Sequence, residues 1–254
     1  MTSGRGPEND GSALAPERRD PLTTTEALMG GIIAAGEGSR LRRGGFRMPK
    51  PLVPVAGVPL IESVIRNFEA AHIAPLVIIV NDEGRPCVEW VRARCPGLDA
   101  EFIVKTTASS LESFFTVLAA PGEGRMLVST VDAWCRPPDF ARFVRAALAR
   151  PPEAIVLGVT PLVADERPLW VDADDGGRVM AVGGQTGAFV TAGLYLIPES
   201  VRRMTPPAGL GRLRHFLAWL HAQRYPMCAE VIPTVIDVDR AEDVALAEAL
   251  SGTA

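Results

Sequence analysis

The chain has 254 residues, 47% of them hydrophobic, and a formal net charge of −4 from 26 basic and 30 acidic side chains. This acidic balance argues against a nucleic-acid partner, because proteins that neutralise many phosphates usually carry a basic surface. No apolar run approaches the ~20 residues that cross a bilayer, and the amino terminus lacks the apolar core of a signal peptide. We therefore expect a cytoplasmic protein without a membrane partner.

The amino-terminal segment is predicted to lie outside the folded domain. Residues 1–28 are rich in Gly, Pro, Ser, Thr and charged residues and lack apolar periodicity. Such a segment buries too little apolar surface to offset the entropy of ordering. The rest of the chain is long enough for one sizeable core. We expect a disordered tail over residues 1–28 and a single domain over residues 29–254.

From Met29 onward, predicted strands and helices alternate along the chain. Short apolar runs predict strands at Met29–Ala35, Leu76–Val80, Ala100–Val104, Arg125–Thr130, Ala154–Val159 and Ala188–Ile197. Apolar residues at helical spacing predict helices at Ile61–Ala71, Arg85–Arg94, Ser110–Ala120, Phe140–Ala149, Leu213–Gln223 and Ala241–Leu250. An Asp-Asp-Gly-Gly turn at residues 174–177 predicts a hairpin. The alternation predicts a three-layer α/β/α sandwich with a mostly parallel central sheet and a site at the carboxyl ends of its strands.

The segment from Gly30 to Lys50 reverses the charge of the chain. Against one acid, Glu37, it holds five basic residues: Arg40, Arg42, Arg43, Arg47 and Lys50. Gly36 and Gly38 follow the first strand, where the lack of a Cβ lets backbone N–H groups approach a phosphate. The segment therefore predicts a local anion site, although we expect at least two of Arg42, Arg43 and Arg47 to lie on a solvated flexible loop instead.

Three kinds of phosphate loop are considered for this segment. A Walker A loop requires Gly-Lys followed by Ser or Thr, but Gly38 is followed by Ser39 and Arg40. A dinucleotide fingerprint requires Gly at position 41 and a helix directly after the loop, but Leu41 and a Gly/Arg/Pro segment stand there. The remaining interpretation is a nucleoside triphosphate loop in which Arg40 and Lys50 hold the phosphates.

Two stretches, Ala34–Leu41 and Pro49–Ile61, form a long composite pattern. They resemble the opening signature of the nucleotidyltransferase superfamily that activates sugar phosphates, phosphocholine and related alcohol phosphates. The resemblance implies a Rossmann-like GT-A fold and transfer of NMP from an NTP to a small phosphorylated acceptor, with release of pyrophosphate. It implies catalytic roles for Arg40 and Lys50. It also implies nucleotide binding by Ala34, Ala35, Gly36, Glu37, Gly38 and Ser39.

Two acidic sites extend the resemblance. Residues 128–132 are similar to the strand that ends on a Mg²⁺-binding aspartate in this superfamily, which maps to Asp132, although Val131 replaces the usual Gly. Residues 236–249 resemble the D-[IV]-D-T-P-E-D-L ending, which maps a second metal carboxylate to Asp239, with Asp237 as the alternative. Because Mg²⁺ prefers hard oxygen ligands, the resemblance implies a Mg²⁺ cofactor.

The nucleotide base and the acceptor are less well defined. Ser109-Ser110 replaces the Gly-Thr that family members often use near the base and ribose, which implies nucleotide binding by Ser110. The alternative is that either serine merely caps the next helix. Gly183-Gly184-Gln185-Thr186 replaces the Glu-Lys-Pro element of the sugar-phosphate branch. The charged and aromatic run at residues 165–170 either lines the acceptor pocket or forms a solvated loop.

The sequence is compatible with two alternative functions. A molybdopterin-type guanylyltransferase shares the opening signature and would prefer GTP. The departures at Val131 and Ser109-Ser110 also leave room for a nucleotide-binding regulator that has lost catalysis. The sequence does not reveal the base, the acceptor or the oligomeric state, and a homo-oligomer stays open.

Overall fold

The computed structural model describes Met1, residues 28–164 and residues 166–252. The predicted disordered tail therefore falls mainly outside the described residues. Within the described part of the chain, no helix combines the length and apolarity needed to cross a membrane.

The strands in chain order are β1 (Met29–Ala34), β2 (Pro54–Val55), β3 (Val58–Pro59), β4 (Leu76–Val80), β5 (Ala100–Val104), β6 (Met126–Thr130), β7 (Ala133–Cys135), β8 (Ile155–Thr160), β9 (Trp170–Ala173), β10 (Val179–Val182), β11 (Phe189–Ile197), β12 (Met227–Val231) and β13 (Val235–Asp237). The helices are α1 (Ser39–Arg43), α2 (Leu60–Ala70), α3 (Arg85–Arg94), α4 (Ser110–Leu118), α5 (Pro137–Leu148), α6 (Glu199–Arg202), α7 (Leu213–Ala222) and α8 (Ala241–Ser251). Single 3₁₀ turns cover Lys50–Leu52 and Asp82–Gly84.

One nine-stranded sheet organises the described residues, with β10-β9-β11-β6-β1-β4-β5 as its main path, β8 beside β11 and β12 beside β8. The pairs β1–β4, β1–β6, β4–β5 and β8–β12 are parallel. Strand β11 runs antiparallel to β6, β8 and β9, and β10 runs antiparallel to β9. Seven of the nine strands thus share one direction, which confirms the mostly parallel sheet.

Helices cover both faces of this sheet, and each face has its own apolar core. Adjacent residues of β4 alternate between the two cores, with Ile78 in one and Ile79 in the other. The first core includes the Phe68–Phe140 pair of α2 and α5, whose ring centroids are 5.3 Å apart. In the second core, α4 packs against α7. Burial on both faces explains the continuous apolar strands and confirms the three-layer sandwich.

Most predicted elements agree with the structure within a few residues, and Leu76–Val80, Ala100–Val104 and Arg85–Arg94 agree at both ends. Helix α5 begins earlier than predicted, at Pro137, because proline is accommodated in a first helical turn. The short strands β2, β3, β7, β12 and β13 were not predicted. The expectation that no helix follows the glycine loop is wrong, since α1 begins at Ser39 and buries Leu41 in the core.

Candidate active site

The turn after β1 is fixed by Asn81. Its side-chain Nδ2 donates to the carbonyl of Ala35 at 3.2 Å and to that of Gly36 at 3.4 Å. A Cβ built on Gly36 would meet nothing within 4 Å, so this side of the turn faces open space. Gly38 has a left-handed backbone with φ of +62°, and a Cβ there would lie 2.8 Å from the Lys50 Cβ. Glycine at position 38 thus lets the turn pack closely on Lys50.

Lys50 links the predicted cations to the predicted acids. It lies on the turn Lys50–Leu52 and is only 7% exposed. Its Nζ lies 2.5 Å from Asp132 Oδ2 and 2.5 Å from Asp239 Oδ1. Arg40 Nη1 lies 2.6 Å from the second oxygen of Asp239, Oδ2. The four residues predicted as catalytic or metal-binding therefore meet at one point.

A small strand pair brings these acids together. Asp132 follows β6, and the N–H of Val131 donates to the carbonyl of Ile33 at 3.0 Å. Strands β7 and β13 pair antiparallel, with Asp237 opposite Ala133. The N–H of Val238 then donates to the carbonyl of Asp132 at 3.0 Å. This pairing brings Asp132 next to Asp237 and Asp239 in space, although they are far apart in the sequence.

Asp243 fixes the backbone on which Asp239 lies. Its Oδ2 accepts the backbone N–H of Asp239 at 2.9 Å and that of Arg240 at 2.8 Å, at the start of α8. We did not single out Asp243 or Asn81 from the sequence. For Asp243 the available signal was an acid three residues after a helix cap, the position used in a capping box.

The charges of Lys50 and Asp132 stabilise one another. Burial alone would lower the pKa of Lys50, but the charges of Asp132, Asp239 and Asp237 raise it above its usual range. Burial alone would raise the pKa of Asp132, but the Lys50 ammonium and a hydrogen bond from Thr130 lower it. Lys50 therefore stays protonated and Asp132 stays ionised at neutral pH.

Asp132, Asp237 and Asp239 form a group that we call the acid cluster. Each offers a carboxylate oxygen, and these oxygens all lie within 4.8 Å of one another. Carboxylates at this spacing suit Mg²⁺, which takes one or two protein carboxylates and completes its shell with water and phosphate oxygens. Both alternatives for the second predicted ligand, Asp237 and Asp239, lie in the acid cluster.

Open space adjoins the acid cluster on two sides. A cleft of about 210 Å³, the main cleft, has Asp132, Asp237, Thr191 and Tyr195 among its polar residues. Its apolar wall is formed by Leu162, Ala164, Pro168, Leu169, Val190, Ala192, Leu213 and Val235. A separate recess of about 230 Å³ is lined by Arg40, Ala164, Glu166, Asp237, Asp239, Arg240, Glu242 and Asp243. Because Asp237 lines both spaces, ligands in the two spaces would approach the same acids.

The two serines of the predicted base region differ in their contacts. Ser109 Oγ accepts the N–H of Glu112 at 3.1 Å and thereby caps α4. Ser110 Oγ accepts the N–H of Leu213 at 3.2 Å and lines the main cleft. The capping interpretation is thus correct for Ser109, whereas nucleotide binding by Ser110 stays a prediction.

The other basic and charged candidates lie at the edge of the site. Arg42 pairs with Glu83, and Arg43 and Arg47 are exposed, although Arg42 and Arg43 lie on helix α1 and not on the expected loop. From the run at residues 165–170, Pro168 and Leu169 line the main cleft, and Asp165 lies outside the described residues. Glu166 lines the recess, where it pairs with Arg240.

Comparison with known proteins assigns the family. The model of the MobA-like NTP transferase domain matches residues 30–222. The chain belongs to this family. The match confirms the nucleotidyltransferase resemblance carried by Ala34–Leu41 and Pro49–Ile61.

Two curated relatives of this domain are, by their names, a bifunctional transferase and synthase and a CMP-phosphonate synthase. The bifunctional IPC transferase and DIPP synthase of Rubrobacter xylanophilus is 28% identical over 254 residues, covering 92% of this chain and 53% of the relative. The CMP-5'-(3-aminopropyl)phosphonate synthase of Streptomyces rubellomurinus is 28% identical over 183 residues, covering 68% of this chain and 28% of the relative. The chain thus spans about half or less of the length of these relatives.

Solved structures share the fold of this domain. The inositol-1-phosphate CTP transferase of T. maritima superposes with a TM-score of 0.75 at 18% identity, covering 90% of this chain and 98% of that one. A putative glucose-1-phosphate thymidylyltransferase of Bacillus anthracis gives a TM-score of 0.77 at 18% identity, covering 90% and 96%. The predicted GT-A-like nucleotidyltransferase fold is therefore confirmed.

Proposed function

We propose that this chain transfers a nucleoside monophosphate from an NTP to a small phosphorylated acceptor and releases pyrophosphate. The observation that carries the proposal is that Arg40, Lys50 and the acid cluster meet beside an open cleft. The names of the CMP-phosphonate synthase and of the inositol-1-phosphate CTP transferase favour CTP as the donor. The names of the two structural neighbours favour a sugar or polyol phosphate as the acceptor.

The proposed donor site is the segment from Ala34 to Lys50. Backbone N–H groups of the turn at residues 34–39 would bind phosphate oxygens on the open side of Gly36. Arg40 and Lys50 would bind the triphosphate and stabilise the negative charge that develops on it and on the departing pyrophosphate. Because Lys50 is itself buried and contacts two carboxylates, its ammonium needs little reorganisation to act.

Asp132, with Asp239 or Asp237, would hold Mg²⁺. Bound there, the ion would neutralise triphosphate charge and polarise the α-phosphoryl group. Because Asp132 and Asp237 line the main cleft, a cation held by these carboxylates would lie at the edge of that cleft. The ion pair between Arg40 and Asp239 holds the cationic and acidic parts of the site next to each other.

The main cleft is the proposed acceptor site. An acceptor phosphate oxygen forms a new bond to the α-phosphorus, and the bond from that phosphorus to the β-bridging oxygen breaks, so pyrophosphate leaves with the electron pair. A phosphomonoester is largely ionised at neutral pH, so the attacking oxygen needs no protein base. Tyr195 also lines the cleft, and burial raises the pKa of its hydroxyl to about 12.

A screen of pyrophosphate release tests this proposal. Four NTPs are combined with inositol 1-phosphate, glucose 1-phosphate and phosphocholine, with and without Mg²⁺. We expect release with CTP and a sugar or polyol phosphate. Molybdopterin is tested as a further acceptor, and release only with GTP and molybdopterin would favour the guanylyltransferase. Tight NTP binding without release on any acceptor would favour the non-catalytic regulator.

A further inference from the structure

The main cleft contains a basic side chain that the sequence analysis did not assign. Arg214 lies in the first turn of α7 and lines the cleft with Asp132 and Asp237. Among the described residues that line this cleft, Arg214 is the only lysine or arginine.

Local packing fixes where Arg214 lies. The preceding residue, Leu213, is buried, and its N–H donates to Ser110 Oγ at the start of α4. This contact joins the first turns of α7 and α4 at the cleft. Because the start of α7 is anchored in this way, the position of Arg214 is set by the fold.

Arg214 shares the cleft with a buried tyrosine, Tyr195. Tyr195 is buried on β11 and hydrogen-bonds with Thr191. Burial and the charges of Asp132 and Asp237 raise the pKa of Tyr195, while the positive charge of Arg214 makes a smaller contribution in the opposite direction. The guanidinium thus acts electrostatically on Tyr195, which lines the same cleft.

A cation in the main cleft would offset the repulsion between the acidic residues of the cleft and a phosphorylated acceptor. A phosphorylated acceptor that enters the main cleft meets Asp132 and Asp237, which carry charge of the same sign. Arg40 and Lys50 contact Asp132 and Asp239 but do not line this cleft. A guanidinium binds phosphate through two parallel hydrogen bonds, which offsets the repulsion and also orients the group.

We propose that Arg214 is the acceptor-binding residue of this site, holding the acceptor phosphate in the main cleft and selecting against acceptors with a cationic body. This inference rests on the proposed function. Recognition of a quaternary ammonium group usually relies on aromatic faces, whereas Tyr195 is the one aromatic residue among the described residues lining the cleft. Trp170, the aromatic residue of the run at residues 165–170, is not among those lining residues.

Calorimetric binding of inositol 1-phosphate, in the presence of Mg²⁺ and a non-hydrolysable CTP analogue, tests the role of Arg214 directly. We expect Arg214→Gln to weaken this binding about tenfold or more, while affinity for the CTP analogue stays within about twofold. The matched control is Arg212→Gln, because Arg212 is an exposed arginine just before α7 and does not line the cleft. Arg214→Lys keeps the charge without the planar fork and should fall between wild type and Arg214→Gln.

Failure of this inference can be distinguished from failure of the proposed function. Equal affinity of wild type and Arg214→Gln for inositol 1-phosphate would overturn the role of Arg214, even if pyrophosphate release is normal. Lack of pyrophosphate release would overturn the proposed function, while the binding comparison would still decide the role of Arg214. If Arg214→Gln lowers the thermal midpoint of unfolding, the affinity of Arg214→Lys for inositol 1-phosphate is measured instead. Wild-type affinity in a well-folded Arg214→Lys protein would contradict bidentate phosphate binding by Arg214.

Selectivity gives a second readout. We expect wild-type protein to use phosphocholine poorly, and Arg214→Gln to narrow the ratio of kcat/KM between inositol 1-phosphate and phosphocholine by about tenfold. A ratio that is the same in wild type, Arg212→Gln and Arg214→Gln would contradict the selection against cationic acceptors.

Discussion

The two halves of the site are built in different ways. The cationic half lies within Ala34–Lys50, where one strand end, one turn and one short helix set Gly36, Gly38, Arg40 and Lys50 close together. The acid cluster is assembled from two distant segments by the β7–β13 pair. A contiguous segment preserves its geometry locally, whereas the acid cluster depends on long-range pairing. Substitutions confined to one half therefore measure the separate contributions of the cationic half and the acid cluster to turnover, nucleotide binding and stability.

The largest effect is expected at Lys50, which joins the two halves. Lys50→Met removes the ammonium that contacts both Asp132 and Asp239. Two unit charges about 4 Å apart interact by about 4 kcal/mol at an effective dielectric constant of about 20. We expect kcat to fall about a hundredfold or more in a steady-state pyrophosphate assay.

Arg47→Ala is the control for Lys50→Met, because Arg47 is a basic residue of the same segment with an exposed side chain. Its kcat should change by less than about threefold. Comparable losses in Arg47→Ala and Lys50→Met would mean that the net charge of the loop matters and that the specific contacts of Lys50 do not.

The two glycines of the turn separate stability from binding in the cationic half. Gly38→Ala places a Cβ on a left-handed residue, 2.8 Å from Lys50 Cβ, and should lower the free energy of unfolding by about 1–2 kcal/mol. Gly36→Ala meets no neighbour and should leave stability unchanged, but its methyl group should weaken NTP binding. Thermal unfolding and CTP titration of both variants measure this. Unchanged NTP affinity in Gly36→Ala would argue against phosphate binding at the turn.

A smaller effect is expected in the acidic half at Asp243. Asp243→Ala leaves the N–H groups of Asp239 and Arg240 without their acceptor, and should lower the free energy of unfolding by about 1 kcal/mol. Displacement of Asp239 should also reduce kcat by about tenfold or less. Asp243→Asn, which keeps one acceptor oxygen, should lie closer to wild type in both assays. If Asp243→Ala matched wild type in turnover, Asp239 would not need this support.

The pH dependence of stability gives the smallest expected signal. The pKa of Asp132 is lowered in the folded protein, so its ionised form adds stability above the unfolded pKa of about 3.9. That contribution is lost as pH falls through the lower folded-state value. The difference in unfolding free energy between wild type and Asp132→Asn should therefore shrink from pH 7 to about pH 3. A difference independent of pH over this range would contradict the ion pair with Lys50.

The same contrast explains what could be predicted from the sequence. Strand β4 is a continuous apolar run, β1 consists of small and apolar residues, and β6 begins with three apolar residues. The motif at Gly36–Lys50 is contiguous, so the sheet and the cationic half were predictable. Strand β13 has only three residues, and its pairing with β7 is set by tertiary packing that no local pattern records. The resemblance supplied Asp132 and Asp239. Its ending motif runs through Asp243 but gave that residue no role, and the motifs did not include Asn81 or Arg214.

The central claim is that the cationic half and the acid cluster act together on one magnesium-bound triphosphate. Calorimetric binding of a non-hydrolysable CTP analogue, with and without Mg²⁺, to wild type and Asp132→Asn tests this most directly. We predict that Mg²⁺ strengthens binding about tenfold or more in wild type, and that Asp132→Asn loses this gain but still binds the metal-free analogue through Arg40 and Lys50. An undiminished Mg²⁺ effect in a folded Asp132→Asn protein would contradict the claim.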